Sequence, residues 1–158
     1  MKKEDKINSI FLEIAESISK MSNCVSLNVG CVITKNNRIV STGYNGTPSG
    51  FINCSEKFKD YNKEKDREEH SSWSFNFEIH AEMNAIIAAA KIGIPLDGCV
   101  LYCTHSPCHN CLKHIIATGI KEIYFSKMYD RSDWNDETNK LINESGISIN
   151  YVHSLTSI

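Results

Sequence analysis

Residues 80–125 read HAEMNAIIAAAKIGIPLDGCVLYCTHSPCHNCLKHIIATGIKEIYF, and the alternation within them decides the fold. The alanine-rich run over 80–92 predicts a helix that stops near Gly93 and Pro95. Cys99-Val100-Leu101-Tyr102-Cys103 follows as a short apolar strand. A second helix runs from Pro107 to Thr118, with proline in its first turn and Gly119 just past its end. Ile123-Tyr124-Phe125 is the next strand. Helices alternating with strands imply parallel pairing, with the helices stacked on a sheet.

The flanks extend the pattern. Upstream, Ile7, Ile10, Phe11, Ile14, Ala15 and Ile18 have helical spacing and predict an amphipathic helix over 5–20. Residues 29–34 and 38–43 read as the two strands of a hairpin turning at Asn36-Asn37. Downstream, a polar helix over 134–145 ends at Gly146, and 147–152 is the last strand. The expectation is one α/β domain over residues 1–158, a three-layer α/β/α sandwich around a mixed five-stranded sheet. Residues 45–78 break the rhythm with Gly, Asn, Pro and dense mixed charge. Such long loops are uncommon in compact domains and often functional. The charged run 56–69 reads as its solvated outer side.

Composition narrows the classes. A hydrophobic content of 41% with 23% charged residues is that of a soluble globular chain. No apolar run reaches the roughly 18 residues of a membrane span, and the charged N-terminal segment lacks the apolar core of a secretory signal. A cytoplasmic protein without a membrane partner is expected. The seven cysteines are odd in number and include a C-x-x-C, which favours metal binding in a reducing compartment over disulfides. A net charge of −2 without a basic stripe argues against a nucleic-acid partner. A mononucleotide needs only one or two cationic contacts, which this composition supplies.

The chemistry lies in two short motifs, each opening a helix. His80, Cys108 and Cys111 offer one imidazole and two thiolates, three zinc ligands with a fourth position left for water. Cys108 and Cys111 are three apart and share a helix face, and the helix start favours their ionised form. Glu82 follows His80 by two residues and is placed to handle protons without ligating the metal. A lone C-x-x-C also suits a redox pair or a structural half-site, and a lone H-x-E says nothing. In this order they make the H-x-E…P-C-x-x-C signature of zinc nucleobase deaminases. There, an activated water attacks the amidine carbon, and Glu82 would carry its proton to the ring nitrogen and then to the departing amine. A purely structural zinc scaffold would have no use for Glu82.

Between about Ser22 and Tyr151 the chain resembles the deoxycytidylate deaminases, particularly those of large DNA phages. The resemblance is carried by Val29-Gly30-Cys31-Val32-Ile33, Thr42-Gly43-Tyr44-Asn45-Gly46, His80-Ala81-Glu82-Met83-Asn84-Ala85-Ile86, Ser106-Pro107-Cys108-His109-Asn110-Cys111 and Gly119-Ile120-Lys121-Glu122. Transfer-RNA adenosine deaminases usually carry Met where Asn110 stands, and riboflavin-pathway deaminases have a longer insert between the cysteines. The resemblance implies the cytidine deaminase-like fold and the conversion of dCMP and water to dUMP and ammonia, feeding thymidylate synthesis. Deamination of another cytosine nucleotide such as dCTP, or nucleic-acid editing, stays open as an alternative.

The resemblance also assigns residues. Asn45, otherwise a simple turn residue before Gly46, would meet the deoxyribose. Ala81 and Ser106 would line the substrate pocket through backbone groups, and Tyr129 would lie near the base and phosphate. His105, His109 and His114 read as surface or helix-face residues. Cys31, Cys99 and Cys103 sit in apolar strands and read as core. Cys24, Cys54, His70 and Glu78 match a second, structural zinc site of the phage enzymes, although their spacing fits no standard finger. A closed metal site would staple a loop too polar to build a core. Gly43, Tyr44, Asn45 and Gly46, with Lys91 as a phosphate contact or a plain surface lysine, match an effector segment. By the same resemblance the chain would form a homohexamer, activated by dCTP with Mg²⁺ and inhibited by dTTP, in the host cytoplasm if viral.

Overall fold

The computed structural model describes residues 2–129 and 134–153, which include every candidate site residue. In chain order the elements are α1 (Lys3–Ser19), β1 (Gly30–Lys35), β2 (Arg38–Tyr44), α2 (Cys54–Lys57) and α3 (Arg67–Phe77). They continue with α4 (Ala81–Lys91), β3 (Val100–His105), α5 (His109–Ala117), β4 (Glu122–Lys127), α6 (Asp136–Ser145) and β5 (Ser148–Tyr151). The five strands form one sheet in the order β2-β1-β3-β4-β5. β1 runs antiparallel to both neighbours, while β3, β4 and β5 run parallel. The expected mixed α/β/α sandwich is therefore present.

Alternation along the strands divides the core. Cys31, Ile33, Leu101 and Cys103 face α4 and α5, where Ala81, Ala85, Ala89, Leu112 and Ile115 complete the larger cluster. Val32 and Tyr102 point to the other face and pack on Phe11, Leu12 and Ala15 of α1. The buried stripe of α1 includes Leu12, whereas Ile10, expected inward, is exposed. Cys31, Cys99 and Cys103 are fully buried core residues, as the sequence implies. Asn36 and Asn37 take φ of 51° and 57°, the positive values that a tight two-residue hairpin turn requires.

Two close approaches seat the helices. A Cβ at Gly30 would overlap the Ala15 carbonyl of α1, and one at Gly43 would overlap the Ala81 carbonyl and Ala85 nitrogen of α4. Bare backbone at Gly43 is what lets the first turn of α4 sit directly on β2.

Residues 45–78 are not the structureless loop expected, because they contain α2 and α3. The ring of Phe58 packs edge-on against Tyr61, His70 and Trp73 at 6.4, 5.2 and 5.5 Å, a small aromatic cluster away from the main core. The segment leaves and returns through one antiparallel bridge, with Ile79 N donating to Gly46 O at 2.8 Å and Gly46 N to Ile79 O at 3.1 Å. Asn84 of α4 pins both ends, its amide donating to the Tyr44 and Ile79 carbonyls at 2.7 and 3.4 Å.

Candidate active site and metal centres

Each of the three expected ligands sits at or beside a helix start. His80 caps α4, Cys108 caps α5, and the Cys108 sulfur accepts the Cys111 N–H at 3.4 Å. His80 Nδ1 lies 3.5 Å from Cys108 Sγ and 3.4 Å from Cys111 Sγ. Tetrahedral zinc, with Zn–S of about 2.3 Å and Zn–N of about 2.0–2.1 Å, sets sulfur–nitrogen edges of about 3.6 Å. The observed separations fall within about 0.2 Å of that edge, so the residues fit the metal. The turn is braced from α6 and the residues just before it: Trp134 Nε1 donates to the Pro107 carbonyl at 3.0 Å, and His109 Nδ1 lies 2.8 Å from Thr138 Oγ1 of α6.

The electrostatics suit the same chemistry. Hydrogen bonding from Cys111 and His80 pulls the Cys108 thiol down to about 4. The Cys108 hydrogen bond raises His80 to about 9. Cys111 is held high, because its neighbour already carries the thiolate charge and burial disfavours a second. Glu82, only 4% exposed in the first turn of α4, is pushed up to about 7, chiefly by burial and against the opposing charge of His80. A carboxyl group near neutrality can both take and give a proton.

His80, Glu82 and Cys108 border a cavity of about 360 Å³. Asn45, Ala81, Ser106 and Tyr129, the expected substrate contacts, line it together with His80 and Glu82. Asn45 is already engaged: its Oδ1 accepts from Val29 N at 2.8 Å and its Nδ2 donates to Leu27 O at 2.9 Å. One lone pair and one N–H of its amide remain for a ligand. Ser106 N donates to the Lys127 carbonyl, and its Oγ accepts from Tyr129 N at 2.9 Å, so Ser106 also positions Tyr129. Ala81 opens α4 and so carries an N–H without an intrahelical acceptor.

Cys24, Cys54, His70 and Glu78 converge beside the cavity, their ligand atoms all within 4.8 Å of one another. His70 Nε2 lies 3.6 Å from Cys24 Sγ and 3.2 Å from Cys54 Sγ. Burial raises the Cys24 thiol and pushes Cys54 up to about 12. Glu78 Oε1 is buried without a hydrogen-bond donor, while Oε2 accepts from Ser74. An orphaned carboxylate oxygen beside two sulfurs and an imidazole is a donor set that suits a divalent cation.

Gly43, Tyr44, Gly46 and Lys91 do not line the cavity. Gly43 is packed under α4, and Lys91 is exposed at the helix end. His114 is exposed as expected, but His105 lines the cavity, with Nδ1 2.9 Å from Thr104 Oγ1. Lys63 and Arg67 of the charged run are exposed, as expected, and also line the cavity. Sequence reading also missed Asn84; its place in the His80–Ile86 motif was the available signal.

A mixed sheet carrying a His-Cys-Cys cluster and a buried glutamate at two helix starts defines a class: metal-dependent hydrolases of the cytidine deaminase-like fold. Within that class the chain belongs to the cytidine and deoxycytidylate deaminase family, whose zinc-binding-region model matches residues 5–127. It is 37% identical to the deoxycytidylate deaminase of Enterobacteria phage T4 over 172 aligned positions, covering 89% of this chain and 87% of the phage protein. The human deoxycytidylate deaminase is 33% identical, over 87% of this chain and 75% of its own. The crystal structure of the dCMP deaminase from cyanophage S-TIM5 in complex with dCMP and dUMP superimposes with a TM-score of 0.75 at 34% identity. That alignment covers 96% of this chain and 99% of the cyanophage chain.

Proposed function

We propose that this single-domain protein is a zinc-dependent dCMP deaminase that converts dCMP and water to dUMP and ammonia, supplying dUMP for thymidylate synthesis. The observation that carries the reading is the buried Glu82 beside three convergent ligands at a nucleotide-sized cavity. The relatives named deoxycytidylate deaminase and the cyanophage dCMP complex support the choice of substrate.

His80, Cys108 and Cys111 would hold the catalytic ion. When bound, zinc supplies a nucleophile at neutral pH by lowering the pKa of water to about 7. The Glu82 carboxylate takes the proton of the attacking water as the C4–O bond forms. It passes that proton to the ring nitrogen, N3, then takes the proton of the new C4 hydroxyl and gives it to the amino group as the C4–N bond breaks, so that ammonia leaves and a C4 carbonyl remains. The free N–H and lone pair of Asn45 serve the deoxyribose hydroxyl. The Ala81 N–H and the Ser106 carbonyl orient the base, and Tyr129, anchored by Ser106, closes over it.

Cys24, Cys54, His70 and Glu78 hold a second, structural zinc in this reading, supported by their convergence and by the orphaned Glu78 oxygen. The protein acts in the cytoplasm as a homohexamer switched by dCTP with Mg²⁺ and by dTTP, through the segment Gly43–Gly46 and Lys91. Among the described residues no helix is long and apolar enough to cross a membrane. Ammonia release from a panel of cytosine and adenine nucleosides, mono- and triphosphates tests the activity. Preference for dCMP is expected; faster release from dCTP, or from oligonucleotides, would overturn it.

A further inference from the structure

The insert places two exposed cationic side chains on the wall of the cavity. Lys63 and Arg67 line it, whereas their acidic neighbours Glu64, Asp66, Glu68 and Glu69 do not. Among the described residues no other lysine or arginine borders this cavity. Among the described residues, neither Lys63 nor Arg67 takes part in a salt bridge.

Helix periodicity explains their placement. Arg67, His70, Ser71, Ser74, Phe75 and Glu78 line the cavity at i, i+3, i+4, i+7, i+8 and i+11, a single stripe of α3 and its C-cap. Glu78 stands two residues from His80 in the chain, so that end of the stripe meets the metal ligands. Arg67 lies 11 residues earlier, about 16 Å along the helix axis. An extended mononucleotide and a long side chain cover such a distance together. His70, held between Cys24 and Cys54, fixes the helix one turn from Arg67.

The two ends of the cavity thus differ, with proton-transfer chemistry at one and, at the other, two cations without a salt-bridge partner among the described residues. A nucleoside monophosphate has the same polarity, an amidine ring at one end and a phosphate of about −1.5 to −2 charge at the other. The planar fork of arginine matches phosphate oxygens, and lysine adds a mobile point charge.

We propose that Arg67, assisted by Lys63, binds the 5′-phosphate of the nucleotide, which makes the insert the element that separates nucleotides from nucleosides. The inference rests on the deaminase reading for the ring end of the cavity, but its test does not depend on turnover. The zinc-loaded protein is titrated calorimetrically with dUMP and with deoxyuridine, as wild type and as Arg67→Gln, Arg67→Lys, Lys63→Ala and Lys57→Ala. Loss of a charge-assisted contact lowers dUMP affinity about 10- to 100-fold in Arg67→Gln and less in Lys63→Ala. Arg67→Lys recovers most of the loss, and Lys57→Ala, outside the cavity, matches wild type. Zinc content measured on each variant separates lost phosphate contact from a collapsed insert. The proposal is overturned if Arg67→Gln and Lys63→Ala both bind dUMP within about twofold of wild type. It is equally overturned if the wild type binds dUMP no more tightly than deoxyuridine. Ammonia release from dCMP, run in parallel, reports on the deaminase reading alone.

Discussion

Replacing Glu82 with glutamine separates what this residue does for catalysis from what it costs the fold. The side chain is 4% exposed and keeps its shape as an amide, so zinc content and fold should survive. Positioned acid–base catalysis contributes about 100- to 10,000-fold, or about 3–5 kcal/mol of barrier. In the proposed reaction Glu82 handles more than one transfer, which places the expected loss of kcat at the upper end. Stability moves the other way. Burial raises the Glu82 carboxyl from 4.5 to about 7, so in the metal-free chain the unfolded state ionises first as pH rises. The penalty on the folded state is absent below about pH 4.5, grows between about 4.5 and 7, and reaches about 3 kcal/mol above that range. Glutamine carries no such penalty. Urea unfolding of the chelated proteins should therefore show Glu82→Gln gaining about 2–3 kcal/mol on wild type between pH 5 and pH 8. Stopped assays of ammonia release on the zinc-loaded pair give the catalytic half. Turnover above about a tenth of wild type would refute the acid–base role, and a stability gap independent of pH would refute the buried-carboxyl argument.

Gly43→Ala forces α4 away from β2 at the Ala81 carbonyl; a destabilisation of about 1–3 kcal/mol with reduced activity is expected, and an unchanged Tm would show that the helix yields freely. Cys54→Ser should cut metal content from about two zinc ions per chain to about one and expose residues 54–78 to limited proteolysis. Metal analysis that finds a single zinc in the unaltered protein refutes the second site. If Gly43–Gly46 and Lys91 belong to an effector site, dCMP kinetics are sigmoidal, become hyperbolic with dCTP and Mg²⁺, and are opposed by dTTP. Hyperbolic kinetics indifferent to both nucleotides would leave an unregulated enzyme.

Residue type carried most of what could be read from the chain alone. The convergent set His80, Cys108 and Cys111 was legible because metal chemistry admits few side chains, and α4 and α5 because their apolar positions repeat with helical period. The hairpin was legible from Asn36-Asn37, where positive φ is a local demand. Strand order was not, since nothing in β1 states that β3 rather than β4 lies beside it. Helix α3 was hidden for a physical reason: its REEHSSWSFNF sequence lacks an apolar stripe, and it is held by Phe58, Tyr61 and His70 instead of the main core. Lys63 and Arg67 were hidden with it, because which face of a polar helix turns inward depends on partners distant in sequence. Asn45 was read as a turn residue and, by resemblance, a ligand contact, while its bonds to Leu27 and Val29 also make it a strut between loops.

The bridge between Gly46 and Ile79 makes residues 47–78 a cassette attached at what is nearly a point. Its internal length can change without altering the distance between its ends, so selection is free to lengthen, shorten or exchange it while the sandwich beneath stays the same. Its exit is less free, because the residue after Ile79 is His80. Any tension or slack in the cassette is delivered to the first member of the His80, Cys108 and Cys111 cluster within one peptide unit. Grafting a foreign insert between Gly46 and Ile79 would therefore be a route to new substrate selectivity, provided that the bridge and the Asn84 clamp are carried over unchanged.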